Sequence, residues 1–318
     1  MSGSPMPGRC PARVSAIMAA CNVERTIEQA VRSVLEQTHP VHELIIVDDG
    51  STDATAAVVG RIDESRVRLF SQANRGPSAA RNAGIALASG DYIACIDGDD
   101  RWHPDKLAQQ LARLHAEPAA RVCYGWTDRV DAHGRRMHTD RRAAPQGDVH
   151  RALLAGNFIT SGSNTLIERD ALIRAGGFDE TLRSVEDWEL HVRLAARHPF
   201  VSTGSVVVDY RLTSGSLSSD LAGMEAAFLA ARDKVFGALI IAEPRLHRQC
   251  TASFHRYLAK RCLQDGLSTS ALRASVHHGL IALRTEPLNV RLNLQMLMAS
   301  FRAVRQQARA SSGAPSSS

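Results

Sequence analysis

The apolar run Tyr92-Ile93-Ala94-Cys95-Ile96 leads straight into Asp97-Gly98-Asp99-Asp100, and Arg101-Trp102-His103-Pro104 follows. Three carboxylates gathered where a strand should end point to a divalent cation. A glycine between two acids lets both turn toward one point, and Mg²⁺ or Mn²⁺ prefers such oxygen donors. One or two protein carboxylates, completed by phosphate oxygens and water, is the usual Mg²⁺ arrangement. The competing reading is an acidic turn that caps a helix starting at Pro104. An EF-hand is excluded, because Trp102 and Ala108 stand where its Gly and closing Glu are required.

Two more acidic segments have a similar setting. Asp48-Asp49-Gly50-Ser51-Thr52-Asp53 comes directly after Leu44-Ile45-Ile46-Val47. Its glycine permits a sharp turn, Ser or Thr can cap the next helix, and its acids can accept from ribose hydroxyls or a base N–H. The same residues also make ordinary turns. Ser184-Val185-Glu186-Asp187-Trp188 sets two acids at the start of a helical pattern, where acids balance the helix dipole. A carboxylate there can instead take the proton of a nucleophilic hydroxyl, and the helix N-terminus would hold it ionised at some loss of basicity. Two arginines are candidates to meet a diphosphate. Arg81 lies about one turn into a helix whose own N-terminus attracts anions, although it could also pair with an acid. Arg211, just after residues 206–210, is the weaker candidate.

These side chains need a scaffold, and the intervening pattern supplies one. Residues 14–18, 44–47, 67–70 and 92–96 are short apolar runs, as expected of parallel strands covered on both faces. Between them, Ile27, Ala30, Val31, Val34 and Leu35 have the spacing of one buried helix face, as do Ala80, Ala83, Gly84, Leu87 and Ala88. The alternation predicts an α/β fold with a Rossmann-like, mostly parallel sheet flanked by helices. Ligands of such a sheet bind beyond the carboxyl ends of its strands, where the acidic segments fall.

Downstream, a helix with Pro104 at its first position carries Leu107, Leu111 and Leu114, and a strand is expected at 122–124. Residues 127–147 are polar and aperiodic, and are expected to be a mobile loop that orders over a bound ligand. A strand at 164–167, a short helix at 169–175, a helix at 187–197 and a strand at 206–210 complete this part. From about residue 217 the patterns are helical: 224–242, 246–263, 270–284 and 288–309. The expected organisation is a disordered leader at 1–12, an α/β domain at 13–216, a C-terminal helical appendage at 217–310 and a disordered tail at 311–318.

Composition sets outer bounds. With 318 residues, 44% hydrophobic and 22% charged, the chain suits one large α/β unit plus an appendage. Its six cysteines are scattered, without a Cys-x-x-Cys, so structural zinc is not expected and a reducing cytoplasm is. The longest apolar run, residues 235–242, is far short of the ~20 residues that span a bilayer. Residues 240–310 carry eleven Lys or Arg against three acids, within a net charge of +5 for the whole chain. This basic part either attracts an anionic surface, such as the inner membrane face, or simply forms charged helix exteriors. A nucleic-acid reading has little support, because the arginines are spread over several helices without a recognised motif.

Taken together, in order and spacing, these segments closely resemble the inverting, metal-dependent family 2 glycosyltransferases of the GT-A fold, from residue 14 to about 217. The resemblance rests on Val14-Ser15-Ala16-Ile17-Met18 with Asn22, Gln37-Thr38, Asp48 to Asp53, Asn74-Arg75-Gly76, Ala80-Arg81-Asn82, Gly90-Asp91-Tyr92, Asp97-Gly98-Asp99-Asp100, Trp102-x-Pro104, Gly177-Phe178-Asp179 and Glu186-Asp187-Trp188. It implies transfer of a sugar from a nucleotide-diphosphate donor, UDP-linked as the first guess, to a glycan or lipid-linked acceptor in surface polysaccharide or glycolipid synthesis. It implies that Asp97 and Asp99 bind ribose and the Mg²⁺ or Mn²⁺ ion, with Asp99 the more direct ligand. Asp49 then contacts base or ribose, Ala19 lies beside it through its backbone, and Arg81 stands near the phosphates. Asp187 takes the part of catalytic base, with Glu186 supporting it or meeting the acceptor. The sequence departs from the family at Ala20-Cys21-Asn22, where an aromatic usually precedes the Asn.

Two other classes compete. A nucleotidyltransferase also sets acids and Mg²⁺ beside a nucleotide, but residues 16–25 lack the glycine run that commonly cradles phosphates. A non-catalytic nucleotide-sugar-binding module would look similar but would lose Asp187 or Asp99.

Overall fold

The computed structural model of the protein describes residues 12–140, 144–212, 220–263, 268–287 and 289. Its first part alternates as the apolar runs dictate: β1 (Val14–Ala20), α1 (Ile27–Leu35), β2 (Glu43–Asp49), α2 (Thr55–Val59), β3 (Val67–Gln72), α3 (Pro77–Leu87) and β4 (Tyr92–Asp97). Then follow β5 (Arg101–Trp102), α4 (Lys106–Ala116), β6 (Val122–Val130), β7 (Arg136–Asp140), α5 (His150–Ala155), β8 (Leu166–Glu168), α6 (Arg169–Arg174), α7 (Glu186–Ala195) and β9 (Phe200–Arg211). Four helices come after them: α8 (Leu221–Phe236), α9 (Leu239–Ala242), α10 (Pro244–Arg261) and α11 (Thr269–Thr285).

Among the described residues the strands form one sheet in the order β3-β2-β1-β4-β8-β6-β9-β5, with β7 paired to β6. The β3-β2-β1-β4 half is parallel throughout. Antiparallel β8 then joins β4 to β6, which runs parallel to β9. The chain leaves β1 toward β2 and β3, then returns to lay β4 on the other side. Their carboxyl ends therefore frame the crevice where an open α/β sheet binds ligands.

Alternate residues of the strands separate two faces. Ala16, Met18, Leu44, Ile46, Ala94 and Ile96 belong to the cluster that buries Ile27, Ala30, Val31 and Val34 of α1 and Leu107, Leu111 and Leu114 of α4. On the other face α3 lies so close that a Cβ on Gly84 would come within 2.4 Å of Ile17 Cγ2. That approach fixes the height of α3, and with it the height of Arg81.

Several expectations change. Residues 127–147 are not simply a loop, because β6 runs on to Val130 and β7 returns as a hairpin across Gly134. Cross-strand polar pairs stand in for the missing apolar alternation, Arg129 with Asp140 and Thr139 with Asp128, and Arg135 pairs with Asp131 across the turn. Pro104 precedes its helix, which starts at Lys106 behind Asp105. The expected helix at 224–242 is broken into α8 and α9 at Gly237, whose φ is +43°. The helix expected at 288–309 lies outside the described residues apart from Asn289, as do the tail at 311–318 and all of the leader but Ala12.

Contacts divide the chain into two compact units, Met1–His150 with Phe158–Val235, and Arg151–Asn157 with Phe236–Ser318. In the second, α10 buries Ala252, Leu258 and Ala259, α11 buries Ser275, His278 and Ala282, and Ser268 caps α11 by accepting from the Ala271 amide. Among the described residues no helix is long and apolar enough to cross a membrane.

Candidate active site

The three acidic segments converge at the carboxyl edge of the parallel strands. Ala19, the one β1 residue that is not fully buried, pairs in register with Val47 on one side and Asp97 on the other. Beyond it the β1–α1 and β2–α2 loops are joined. Asn22, at φ 54°, donates its amide to Ser51 Oγ and accepts from the Thr52 amide, while the Glu24 amide donates to Asp53.

Asp49 is buried, and its oxygens accept from Gln72 Nε2 at 2.8 Å, the Arg75 amide at 2.9 Å and the Gly76 amide at 2.8 Å. A carboxylate has about four acceptor positions, so roughly one is left for a ligand N–H. Asp49 thus also ties the β3–α3 loop to β2. The exposed thiol of Cys21 accepts from Asn74 Nδ2 at 3.4 Å, at the place where the family usually has an aromatic.

Asp97 ends β4, and Arg81 reaches it from α3. The Arg81 Nη2 donates to Asp97 Oδ1 at 2.5 Å and its Nη1 to Glu186 Oε1 at 2.6 Å. Phe178 lies beneath the guanidinium, 5.2 Å from its carbon to the ring centre. Burial works against the charge on Arg81, yet Asp97 and Glu186 more than offset it and raise its pKa. Arg81 therefore joins two acidic segments, and the hands of its fork are already occupied.

Asp99 is partly buried. Burial, then the neighbouring Asp97 charge, push its carboxyl up to about 6. The glycine between the two acids is needed for close approach, since a Cβ on Gly98 would lie 2.8 Å from Val23 Cγ2 and 3.2 Å from Ile27 Cδ1. Asp100 does not cap a helix. It is 1% exposed and accepts from Ser163 Oγ at 2.6 Å and the Arg211 amide at 3.1 Å. Arg211 meets the same loop from behind, donating through Nε to the Asp99 carbonyl, Nη1 to that of Ala132 and Nη2 to Gln29.

Glu186 and Asp187 open α7. The residue before them, Val185, is β-branched yet sits in the left-handed region at φ 57°, an uncommon and strained conformation of the kind found at functional sites. Asp187 Oδ1 accepts from the Trp188 amide at 2.6 Å. The Trp188 amide at the helix start lowers this acid but is outweighed: burial first, and Glu186 second, push its pKa up to about 7. Gly162 shows how close the two halves lie, since a Cβ there would be 3.7 Å from both Arg81 Nη2 and Asp187 Cβ.

Sequence reasoning passed over Ser161-Gly162-Ser163 and read Asn164 only as the start of a strand. Ser161, Ser163 and Asn164 are all buried, and Asn164 donates to the Gly125 carbonyl and Thr127 Oγ1. A run of small polar residues directly before an apolar strand was the available signal.

Near Asp97, five carboxyl groups, Asp97, Asp99, Asp100, Glu186 and Asp187, stand with Arg81 and Arg211. The deficit of positive charge, and the hard oxygens on either side of Gly98, fit a divalent cation at Asp97 and Asp99. Elsewhere His103, Asp128 and Asp209 bring ligand atoms within 4.8 Å of one another. That group is already balanced, because Arg101 and His103 engage Asp209, and Arg136 stands 3.9 Å from Asp128.

This α/β architecture, with acids collected at the strand ends, is that of a GT-A glycosyltransferase. The family model described as Glycosyl transferase family 2 matches residues 15–176, and the chain belongs to that family. It is a glycosyltransferase, which sets the nucleotidyltransferase reading aside. It is 34% identical over 235 residues to the succinoglycan biosynthesis protein ExoO of Rhizobium meliloti, covering 70% of this chain and 67% of that one. It is 30% identical over 210 residues to the UDP-Glc:alpha-D-GlcNAc-diphosphoundecaprenol beta-1,3-glucosyltransferase WfgD of Escherichia coli, covering 65% and 80%. It spans about a third of the length of uncharacterised Rickettsia glycosyltransferases that it also matches. Among solved structures, S. aureus TarS 1-349 in complex with UDP-GlcNAc superposes with a TM-score of 0.57 at 16% identity, over 94% of this chain and 92% of that one. At that identity the likeness speaks for the fold.

Proposed function

We propose that this glycosyltransferase moves a sugar from a nucleotide-diphosphate donor to an acceptor hydroxyl by a single inverting displacement, with Asp187 as base. The observation that carries the reading is Asp187 itself: a carboxyl at the start of α7 whose pKa burial and Glu186 raise to about 7, next to the acid that Arg81 ties to Asp97. A general base works best when its pKa lies near the operating pH. In the reaction the acceptor oxygen bonds to the anomeric carbon as Asp187 takes its proton, and the bond to the donor diphosphate breaks on the opposite face. Mg²⁺ or Mn²⁺ held by Asp97 and Asp99 would supply Lewis-acid stabilisation of the departing diphosphate. Asp49 and Ala19 line the nucleoside end, Arg81 holds Asp97 and Glu186 in place, and Arg211 braces the loop under the donor.

UDP is the first nucleotide to test, because the relative WfgD is a UDP-glucose enzyme. The named relatives act in succinoglycan synthesis and on a diphosphoundecaprenol acceptor, which supports polysaccharide synthesis on a lipid-linked acceptor here. The catalytic domain on this reading is 13–216, and the helical region at 217–310 meets the acceptor or its membrane from the cytoplasmic side. Exposed Ile240 and Ile241 of α9, with exposed Arg245 and Arg248 on α10, support a peripheral lipid contact.

The test is a panel of nucleotide sugars scored for Mn²⁺-dependent thermal stabilisation, since a bound ligand raises the melting temperature. Product analysis with the best donor and a lipid-diphosphate sugar acceptor follows. Free nucleoside diphosphate with a lengthened acceptor is expected. Binding without turnover over the whole acceptor range would favour a nucleotide-sugar-binding module.

A further inference from the structure

We infer that Asp100 and Ser163 are positioning residues that set the spacing of Asp97 and Asp99 for one cation. Asp100 is too deeply placed to be a ligand itself, but its carboxylate is where two clamps on the loop meet. In the first, Ser163 Oγ donates to Asp100 Oδ2 at 2.6 Å and accepts from the Asp97 amide at 3.0 Å. In the second, the Arg211 amide donates to Asp100 Oδ1 at 3.1 Å, and the Arg211 guanidinium donates to the Asp99 carbonyl at 3.0 Å. One clamp holds the loop at Asp97 and the other at Asp99.

The surroundings hold the clamps in turn. Trp102 Nε1 donates to the Ser163 carbonyl at 3.0 Å, the Ser163 amide donates to Ser161 Oγ at 3.0 Å, and Ser161 Oγ lies 3.4 Å from Asp100 Oδ2. Ser163 is fully buried, so water cannot readily replace its hydroxyl. Gly98 has no side chain with which to hold the loop, so its shape is imposed from outside. Two carboxylates serve one ion only while they stay within about 0.5 Å of the productive geometry, and partners behind the ligands keep them there.

This inference rests on Asp97 and Asp99 being the cation pair, and the experiment separates the two. The readout is Mn²⁺ binding to the UDP complex of the full chain, followed by electron paramagnetic resonance of free Mn²⁺, beside metal-free UDP affinity. Ser163→Ala should weaken Mn²⁺ binding about tenfold or more and leave metal-free UDP affinity within about twofold, as partners behind metal ligands typically do. Ser163→Thr, which keeps the hydroxyl, should restore it. Should Ser163→Ala fail to fold, Asp100→Asn and Arg211→Lys probe the junction and the second clamp. Unchanged Mn²⁺ affinity in the folded variants, or loss of UDP affinity in equal measure, overturns the inference. If Asp99→Asn also leaves Mn²⁺ binding intact, the cation-pair reading fails instead.

Discussion

Arg81 Nη1 lies 2.6 Å from Glu186 Oε1, in a buried pair, so the acid directly before Asp187 is already engaged. That contact separates two adjacent carboxyls that look equivalent in sequence. Asp187→Asn should leave UDP affinity near wild type and cut turnover by about 10²–10⁴-fold, the usual share of a general base. Turnover of the unmodified enzyme should fall as pH drops through about 7, because Asp187 must be ionised to accept a proton. Glu186→Gln removes a charge that raises Asp187, so that limb should move to lower pH. Full turnover in Asp187→Asn defeats the assignment.

Arg81→Lys keeps one positive charge but cannot fork between Asp97 and Glu186. Breaking a buried ion pair commonly costs ~3–5 kcal/mol. A lysine retains part of the attraction, so a loss of about 2–3 kcal/mol in urea unfolding is expected, with weaker UDP binding in step. Wild-type stability and affinity in this variant would mean that the bridge contributes nothing.

Val185 can be tested through glycine, which enters the left-handed region freely. Relief of ~1–2 kcal/mol of backbone strain should outweigh or match the ~1 kcal/mol entropic cost of glycine. Val185→Gly should therefore keep turnover and melt no lower than the parent. A clear drop in melting temperature contradicts the strain argument.

Lys106 is buried, with its Nζ 2.7 Å from Gln110 Oε1 and 4.4 Å from the centre of the Trp102 ring. Burial lowers its pKa to about 7. Between its unfolded value near 10.4 and that point, the unfolded chain binds the proton and the folded chain does not, so stability falls as pH falls. Lys106→Met has no such dependence. The gap in melting temperature between variant and parent should widen in the variant's favour from pH 10 to pH 7, then level off. A gap independent of pH rules out a neutral Lys106.

The parallel half of the sheet was legible because β1, β4 and the Leu44–Val47 stretch of β2 are apolar, and Asp97 and Asp99 stood out because they follow such a run, whereas Asp187 stood out as one of two adjacent acids at a helix start. Ser163 and Asp100 were not legible as partners, since their contact joins residues sixty-three apart and in sequence Asp100 reads only as a third acid of the run at Asp97. The β6–β7 hairpin escaped because its cross-strand contacts are a salt bridge and a hydrogen bond between polar side chains, which leave no apolar alternation to read. The raised pKa of Asp187 escaped for a related reason: the acids and the helix start are visible in sequence, whereas burial is not.

The central claim is inverting transfer with Asp187 as base, and the anomeric configuration of the product tests it most directly. With an α-linked nucleotide sugar that the enzyme accepts, the proton coupling of the new anomeric centre in nuclear magnetic resonance should be that of a β linkage. An α-linked product would contradict a single displacement at this site.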